Sequence, residues 1–285
     1  MASVPIYADA VARMETEIAP RGGKTASVGK ARSHARASVD VLLALSQSDL
    51  RLRYGRGPGR ILRWLFEPFA LVGIYLVLVT VVLGRGGHAA GLNLATSVVP
   101  FQLVMLSVTN AMNSIDARKP IILNMSFRRT LIPLSSVCTE CASFISSFFL
   151  IFFMMAIYQV APTPSLLWLV VVLPVNLAVA AGFAYGMALF AVWFRELWSF
   201  GLSFVRMLFF IGPGLVPLSQ THGTANALLK LNPLTGIFEA YRDVFYYGRA
   251  PAAWELLYPL GFAVVLLGIF VPIYHREQRQ FAKII

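Results

Sequence analysis

Residues 64–84, which read WLFEPFALVGIYLVLVTVVLG, decide the fold class of this chain. A helix needs about 20 predominantly apolar residues to cross the hydrocarbon core of a bilayer, and this stretch has that length. Further apolar runs long enough to cross follow at residues 95–115, 131–158, 166–193, 198–218 and 255–274. The sequence therefore predicts an all-α polytopic membrane protein with six transmembrane helices.

The composition supports a membrane protein and argues against two other classes. Of the 285 residues, 58% are hydrophobic and 13% are charged, and the mean hydropathy is +0.70. A soluble domain has about 25% charged and about 45–50% apolar residues, so a soluble globular enzyme is nearly excluded. The 21 Phe and 5 Trp exclude a disordered chain. In such an apolar protein, the net charge of +11 indicates anionic membrane lipids as partners rather than nucleic acid.

The distribution of Lys and Arg predicts how the chain is oriented. If the six runs cross the membrane, nineteen Lys and Arg residues lie on one side and four on the other. Basic residues concentrate on the cytoplasmic side of membrane proteins, so both termini are predicted to be cytoplasmic. Residues 1–37 lack the apolar core of a cleavable signal peptide and are predicted to be a flexible basic tail.

The tail contains GGKT at residues 22–25, which is similar to the end of a phosphate-binding loop. That loop needs a glycine five positions before Gly23, where this chain has Ile18, and no predicted strand precedes it. We therefore expect no nucleotide site in this chain. Any ATP would be used by a partner.

Residues 38–54 are predicted to form an amphipathic helix that lies in the membrane interface. Their apolar side chains fall on one helical stripe, and Ser38 is a plausible N-cap. Arginines crowd the end of this helix and the segment that follows it: Arg51, Arg53, Arg56, Arg60 and Arg63. One interpretation is that they only anchor the first span at headgroup depth. The other is that some of them bind a phosphate or pyrophosphate from the cytoplasmic leaflet, which suits the geometry of Arg.

The loop between the second and third spans, residues 116–130, is basic but has an apolar centre. A solvated loop needs no apolar residues, whereas a short helix that docks into a groove of a cytoplasmic partner does. The pattern favours docking, and the alternative is a helix that lies on the membrane.

The segment between the fifth and sixth spans is too short for two more crossings and too apolar for a simple loop. Asn232 can cap a helix that Pro233 begins and Gly248 ends. We predict short re-entrant helices over residues 225–247 that dip into the outer leaflet, where irregular backbone needs surrounding protein or water. A lid over an exit path and a static cap both fit this pattern.

Glu140 and Arg206 are isolated charges inside the third and fifth predicted spans. Charges in the membrane are costly and indicate function by default. If both face the interior they could pair, either for function or only for packing. The two cysteines and four histidines form no metal-ligand pattern, and no catalytic constellation is visible. The sequence therefore predicts neither a metal site nor an enzyme.

Four segments together resemble one family. They are RLRYGRGPGRILRWLFEP at 51–68, the short loop between spans two and three, FRE at 194–196, and LNPLTGIFEAYRDVFYYGRAP at 231–251. In this order they look like the permease subunit of a type-2 ABC transporter. The closest class is the polysaccharide exporters that move O-antigen, capsule, teichoic acid or galactan. The Asn-Pro at 232–233, the Tyr-Arg at 241–242 and the Trp64–Pro68 spacing are the most specific parts, and Glu196 stands where the family often has Asp.

The resemblance, which covers residues 38–285, implies a multi-pass protein of the bacterial plasma (inner) membrane. It implies a homodimer with two copies of a separate ATPase that binds ATP and Mg, and a glycan carried on an undecaprenyl-type polyprenyl pyrophosphate. The expected ATPase-coupling residues are Arg118, Lys119, Asn124, Phe127, Arg128, Arg129, Arg195 and Glu196. The expected outer-gate residues are Asn232, Pro233, Phe238, Tyr241 and Arg242. The arginines at 51–63 would meet the lipid pyrophosphate.

Three other functions compete with this interpretation. The first is a drug or small-lipid exporter of the same broad family. The second is an ion-coupled secondary carrier, which would favour several intramembrane acids and two related halves. The third is a membrane glycosyltransferase, which would favour an acidic loop with metal-ligand spacing. The sequence offers one clear intramembrane acid and no internal repeat, so both alternatives outside the family are weaker.

Overall fold

The structure is a computed structural model that describes residues 27–54, 59–82, 84, 89–119, 128–215, 217–221 and 223–278. By its internal contacts the chain divides into two units, residues 1–39 and 40–285. Of the first unit, residues 27–39 are described and are helical. The remaining described residues belong to the second unit.

Throughout the described ranges the regular structure is helical, without β-strand. The α-helices are α1 Ser27–Tyr54, α2 Gly59–Val77, α3 Ala90–Ala117, α4 Leu131–Ile157, α5 Leu169–Trp193, α6 Trp198–Ile211, α7 Gly223–Lys230, α8 Pro233–Arg242 and α9 Ala253–Glu277. Short π-helices extend α2 over Leu78–Val82 and α8 over Asp243–Tyr247. Short 3-10 helices lie at Pro164–Trp168, Arg195–Leu197 and Leu218–Gln220.

Four helical segments are long and apolar enough to cross a membrane: Ala90–Ala117, Leu131–Ile157, Pro164–Trp193 and Ala253–Glu277. The chain is therefore a multi-pass membrane protein. The predicted spans at 64–84 and 198–218 correspond to shorter helices. The apolar part of α2 is Pro68–Val81, and α6 has 14 residues because Gly212, Pro213 and Gly214 follow its end. At 1.5 Å per residue, α6 is about 21 Å long, less than a bilayer core of about 30 Å.

Helix α3 lies at the centre of the packing and contacts α4, α5, α2 and α8, while α5 also packs along α9. Gly236 allows α8 to approach α9 closely. A Cβ atom at this position would lie 2.8 Å from the carbonyl oxygen of Glu255 and 2.8 Å from Cγ of Pro259. The close approach helps to bury α8, whose residues are all inaccessible to solvent.

The beginning of α1 corrects two expectations from the sequence. The helix begins at Ser27, so Ser38 lies within it and is not an N-cap. Residues 27–37 are helical, and only residues 1–26 of the predicted flexible tail lie outside the described residues. The alanine- and arginine-rich residues 31–37 have high helix propensity, which lets the helix continue upstream of the amphipathic segment.

Candidate functional site

Polar side chains from α1, α3 and α4 meet around Arg118, which directly follows α3. Arg118 is buried and forms an ion pair with Asp49 of α1. Its guanidinium also donates to the hydroxyl of Ser135 at 2.7 Å and to the carbonyl oxygen of Ile132 at 3.3 Å, both on α4. The hydroxyl of Thr139 donates to the carboxylate of Asp49 at 3.4 Å. We call these five residues the Arg118 cluster.

Within the cluster, the charges of Asp49 and Arg118 stabilise each other. Burial raises the pKa of Asp49, while the charge of Arg118 and the hydrogen bonds from Thr139 and Arg118 lower it. A buried charge that loses its partner is strongly destabilising. A second link between the same helices is a hydrogen bond from Ser46 to the carbonyl oxygen of Ser135, at 3.2 Å. Helix α1 is therefore held to α4 beside the predicted coupling loop.

The beginning of α4 is also held by α5 and α9. The hydroxyl of Tyr185 donates to the carbonyl oxygen of Thr130 at 2.6 Å, and its ring lies 5.6 Å from that of Tyr274. Arg129 donates to the carbonyl oxygen of Gln278, just after α9. Both ends of the predicted coupling loop are therefore anchored to the helix bundle.

The predicted coupling residues differ in their exposure. Lys119, Arg128 and Glu196 are exposed, and Arg129 is half-buried. Arg195 is exposed and donates to the carboxylate of Asp116 at 3.3 Å. Arg118 was expected to contact a partner protein, but its guanidinium is buried inside the chain. Asn124 and Phe127 lie outside the described residues.

Among the arginines expected to meet the lipid pyrophosphate, Arg51 is described and exposed. The side chains of the others lie outside the part of the chain that the structure describes: Arg53, Arg56, Arg60 and Arg63.

The predicted helix at the Asn-Pro motif is confirmed. Oδ1 of Asn232 accepts a hydrogen bond from the backbone N–H of Leu234 at 3.0 Å, and Pro233 is the first helical residue. The helical segment ends at Gly248, whose φ of 64° is in the left-handed region that glycine favours. Its residues 233–245 are all buried.

Arg242 is fully buried and holds α8 against α3. Its Nε donates to Oδ1 of Asn93 at 2.6 Å, and its Nη2 donates to the hydroxyl of Ser97 at 2.7 Å. The same Nη2 donates to the carbonyl oxygen of Pro213 at 3.1 Å, in the segment after α6. Nη1 forms an ion pair with Glu239, one turn earlier on α8.

The partners of Arg242 are themselves connected. The carboxylate of Glu239 accepts a hydrogen bond from the backbone N–H of Leu218 at 3.0 Å. Displacing α8 would separate buried charged groups from their partners, at a cost of several kcal/mol. These contacts favour the static cap over the lid as the interpretation of α8. Helix α7, in contrast, has no buried residue.

Two other predicted gate residues, Phe238 and Tyr241, pack α8 against neighbouring helices. The ring of Phe238 lies 5.8 Å from that of Phe209 on α6. The hydroxyl of Tyr241 accepts a hydrogen bond from the side-chain amide of Asn176 on α5, at 3.4 Å. Both side chains are fully buried. These contacts join α8 to α5 and α6.

Glu140 and Arg206 do not both face the interior, which corrects the expectation of a pair between them. Glu140 is buried on α4 and accepts a hydrogen bond from the side-chain amide of Asn110 on α3. Arg206 is exposed in the single chain. Arg206 lies on α6, whose buried side chains include Leu202 and Val205.

Arg206 lines a groove with a volume of about 730 Å³ between α2, α3 and α6. Most of the wall is apolar or aromatic, including Phe66, Tyr75, Phe101 and Phe210. Besides Arg206, the wall contains the side-chain amide of Gln102, which lies near the middle of α3. We call this cavity the Arg206 groove. In the described ranges, no three His, Cys, Asp or Glu side chains are grouped so that they could hold a metal ion.

The chain is similar over most of its length to three curated proteins. It is 27% identical over 246 residues to the O-antigen export system permease protein RfbA of Myxococcus xanthus, which is 85% of this chain and 94% of that protein. Two proteins of the same name from Klebsiella pneumoniae are 25% and 24% identical over 251 residues, or 86% of this chain and 95% of each of them. The chain is thus similar to O-antigen export permeases over most of its length. The resemblance predicted from the sequence is therefore confirmed, although none of the protein-family models matches the chain.

Several residues that the fold of this chain brings to these sites were not predicted from the sequence. Asp49 was part of a predicted amphipathic helix and Glu239 lay within the segment 231–251, both without an assigned role, while Asn93 and Ser97 carried no motif. A weak signal was available for Gln102, which is one of three amide side chains in the largely apolar run at 95–115, with Asn110 and Asn113. Polar residues inside a span are uncommon and draw attention to a possible function.

Proposed function

We propose that two copies of this chain form the membrane path of an ATP-driven exporter of lipid-linked polysaccharide. A separate ATPase supplies the energy, and the chain itself catalyses no reaction. The observation that carries the proposal is the Arg206 groove. The substrate class rests on the similarity to O-antigen export permeases.

The depth of the groove is the first supporting argument. Phe101 and Gln102 lie near the middle of α3, which runs over Ala90–Ala117 and is long enough to cross the membrane. In the proposed arrangement the groove lies near the centre of the bilayer. A charged side chain at that depth is costly against lipid, so an exposed Arg206 needs to face water or protein. A second copy placed over the groove would satisfy this requirement.

The size and walls of the groove are the second argument. Its volume of about 730 Å³ lies within the range of ligand sites, about 300–1,000 Å³. Sugar rings stack on aromatic faces, and Phe66, Tyr75, Phe101 and Phe210 provide such faces. Six helices of one chain enclose little space for a hydrated glycan. Two grooves that face each other would give a wider path shared by both copies.

The cytoplasmic end supports coupling to an ATPase. Arg128 and Glu196 are both exposed, so a partner can reach them. Force on the loop at 118–130 would move α3 and α4, and the Arg118 cluster would pass that movement to α1. ATP binding needs to favour the open state by a few kcal/mol to shift the populations substantially. We place this end, and both termini, in the cytoplasm.

The remaining steps complete the proposed cycle. The pyrophosphate of an undecaprenyl-type carrier meets the arginines at 51–63 in the cytoplasmic leaflet of the bacterial plasma membrane. The glycan then passes along the paired grooves. Helix α8 stays in place as a cap, and the exposed α7 moves aside at the outer surface. Six membrane crossings per chain, including α2 and α6, belong to this proposal.

Reconstitution into vesicles tests the function. The chain is purified together with a separate ABC ATPase, and ATP-dependent movement of a lipid-linked oligosaccharide to the opposite leaflet is measured. A hydrolysis-deficient ATPase serves as the control and should abolish movement. Uphill transport by the chain alone, driven by a proton or sodium gradient, would overturn the proposal.

A further inference from the structure

We propose that Arg206 binds an anionic group of the transported molecule, a carboxylate or a phosphate, within the Arg206 groove. This inference rests on the proposed function and adds a specificity-determining residue to it. The group could come from two sources, an acidic sugar of the glycan or the pyrophosphate of its lipid carrier. The experiments below distinguish them.

The charge of Arg206 is the first step. Two other arginines at the bundle, Arg118 and Arg242, are buried and each forms an ion pair with a carboxylate of this chain. No such ion pair is formed by Arg206 within the described residues, although its guanidinium lies in an otherwise apolar wall. An exposed guanidinium binds oxyanions through charge-assisted hydrogen bonds, which are stronger than those between neutral groups. The transported molecule could therefore provide the anion that pairs with Arg206.

Gln102 is the second, independent observation. Its side chain lines the same groove from α3, and its Oε1 atom is buried with no hydrogen-bond partner among the described residues. Buried polar atoms in proteins are almost always hydrogen-bonded, so an orphaned acceptor calls for a donor. A sugar hydroxyl is such a donor. The Oε1 atom is buried in the single chain, so a ligand hydroxyl reaches it once the amide turns into the groove. The Arg206 cation and this acceptor would then together fit a charged sugar or a sugar phosphate.

Transport with two matched substrates tests the proposal. The complex of chain and ATPase is reconstituted, and transport of a neutral lipid-linked oligosaccharide is compared with that of an equally long one containing a hexuronic acid. Arg206→Gln should slow transport of at least one substrate about tenfold, as expected when one charge-assisted hydrogen bond is lost. Arg206→Lys should retain most of the rate. Met207→Gln, at the exposed neighbouring position outside the groove wall, is the matched control.

The pattern of the loss identifies the source of the anion. A loss confined to the acidic oligosaccharide assigns the anion to the sugar. An equal loss for both substrates assigns it to the carrier pyrophosphate. Wild-type rates in Arg206→Gln for both substrates, or a loss equally deep in Arg206→Lys, would overturn the proposal.

A labelling experiment tests the same charge without any transport. Phe210→Cys, one helical turn from Arg206 in the groove wall, is introduced into a chain carrying Cys138→Ser and Cys141→Ser. Its reaction rates with an anionic and a cationic methanethiosulfonate reagent are compared. Adding Arg206→Gln should lower the ratio of anionic to cationic rates about fivefold, because the local positive potential is lost. An unchanged ratio would overturn the proposal even if transport occurs, and a complex that moves no glycan would overturn the proposed function separately.

Discussion

Arg118 and Asp49 form an ion pair between the end of α3 and the amphipathic helix α1, although 69 residues separate them in the chain. The pair lies where the predicted coupling loop begins. Because Arg118 also donates to Ser135 on α4, one guanidinium joins three helices. A movement of the loop therefore cannot leave α1 behind without breaking a buried, charged contact.

We expect Asp49→Ala to lower the free energy of unfolding by about 2 kcal/mol, because it leaves the buried guanidinium of Arg118 without its counter-ion. The double variant with Arg118→Met should lose less, since no buried charge remains. Titration of the purified protein with a denaturing detergent measures both. Asp40→Ala, which changes an exposed acid on the same helix, is the control and should have little effect.

Arg242→Ala is expected to lower the free energy of unfolding by about 3–5 kcal/mol, because Glu239 then stays buried without its partner. The same titration measures the loss. Arg195→Ala removes an exposed ion pair with Asp116 and should cost less than about 1 kcal/mol. Equal losses in the two variants would show that the contacts of Arg242 do not hold α8 in place.

Gly236→Ala is expected to destabilise the protein by about 1–3 kcal/mol, as overpacking does in tight cores. The added methyl group would meet the backbone of Glu255 and the ring of Pro259, and backbone cannot move aside easily. Thermal unfolding followed by circular dichroism measures the loss. Gly268→Ala is the matched control, since nothing lies within 4 Å of a Cβ atom there, and it should be neutral or stabilising.

Asn232 offers a test in which two hydrogen bonds are separated. Its Oδ1 caps α8, and its Nδ2 donates to the carbonyl oxygen of Leu208. Asn232→Ala removes both bonds and should cost about 2 kcal/mol in thermal unfolding, while Asn232→Asp keeps the cap and should cost roughly half as much. An aspartate variant as unstable as the alanine variant would mean that the cap contributes little.

The parts of the fold that depend on local chemistry were predictable. Asn232, Pro233 and Gly248 bound a helical segment because a cap, a fixed φ and a left-handed φ act within a few residues. The same reasoning failed at Ser38. A good capping residue is also tolerated inside a helix, and nothing in the preceding residues breaks that helix.

The parts that depend on tertiary packing were not predictable from one sequence. Arg118 is buried because Asp49 and Ser135, which are distant in the sequence, pack against it and accept its hydrogen bonds. Arg242 was assigned to a gate from its motif, while its hydrogen bonds to Asn93 and Pro213 join α8 to α3 and to the segment after α6. The neighbouring helices also decide which face of a short apolar helix is buried, and on α6 they leave Arg206 exposed.

The exposed arginine of the coupling loop provides the last prediction. Arg128 is exposed at the beginning of α4, whereas Arg129 is bound to Gln278. Arg128→Glu should therefore abolish most of the substrate-stimulated ATPase activity of the reconstituted complex, because it reverses a charge offered to the partner. Unfolding of the chain should change by less than about 0.5 kcal/mol, as for most surface substitutions.

Two controls separate coupling from folding in this test. Arg128→Lys keeps the charge and should retain stimulation. Arg129→Glu removes an internal contact and should lower stability as well as stimulation. If Arg128→Glu leaves stimulation intact while the complex still assembles, the ATPase does not act through this end of the loop. The other exposed coupling residues that the structure describes, Lys119, Arg195 and Glu196, would then be the candidates for its contact.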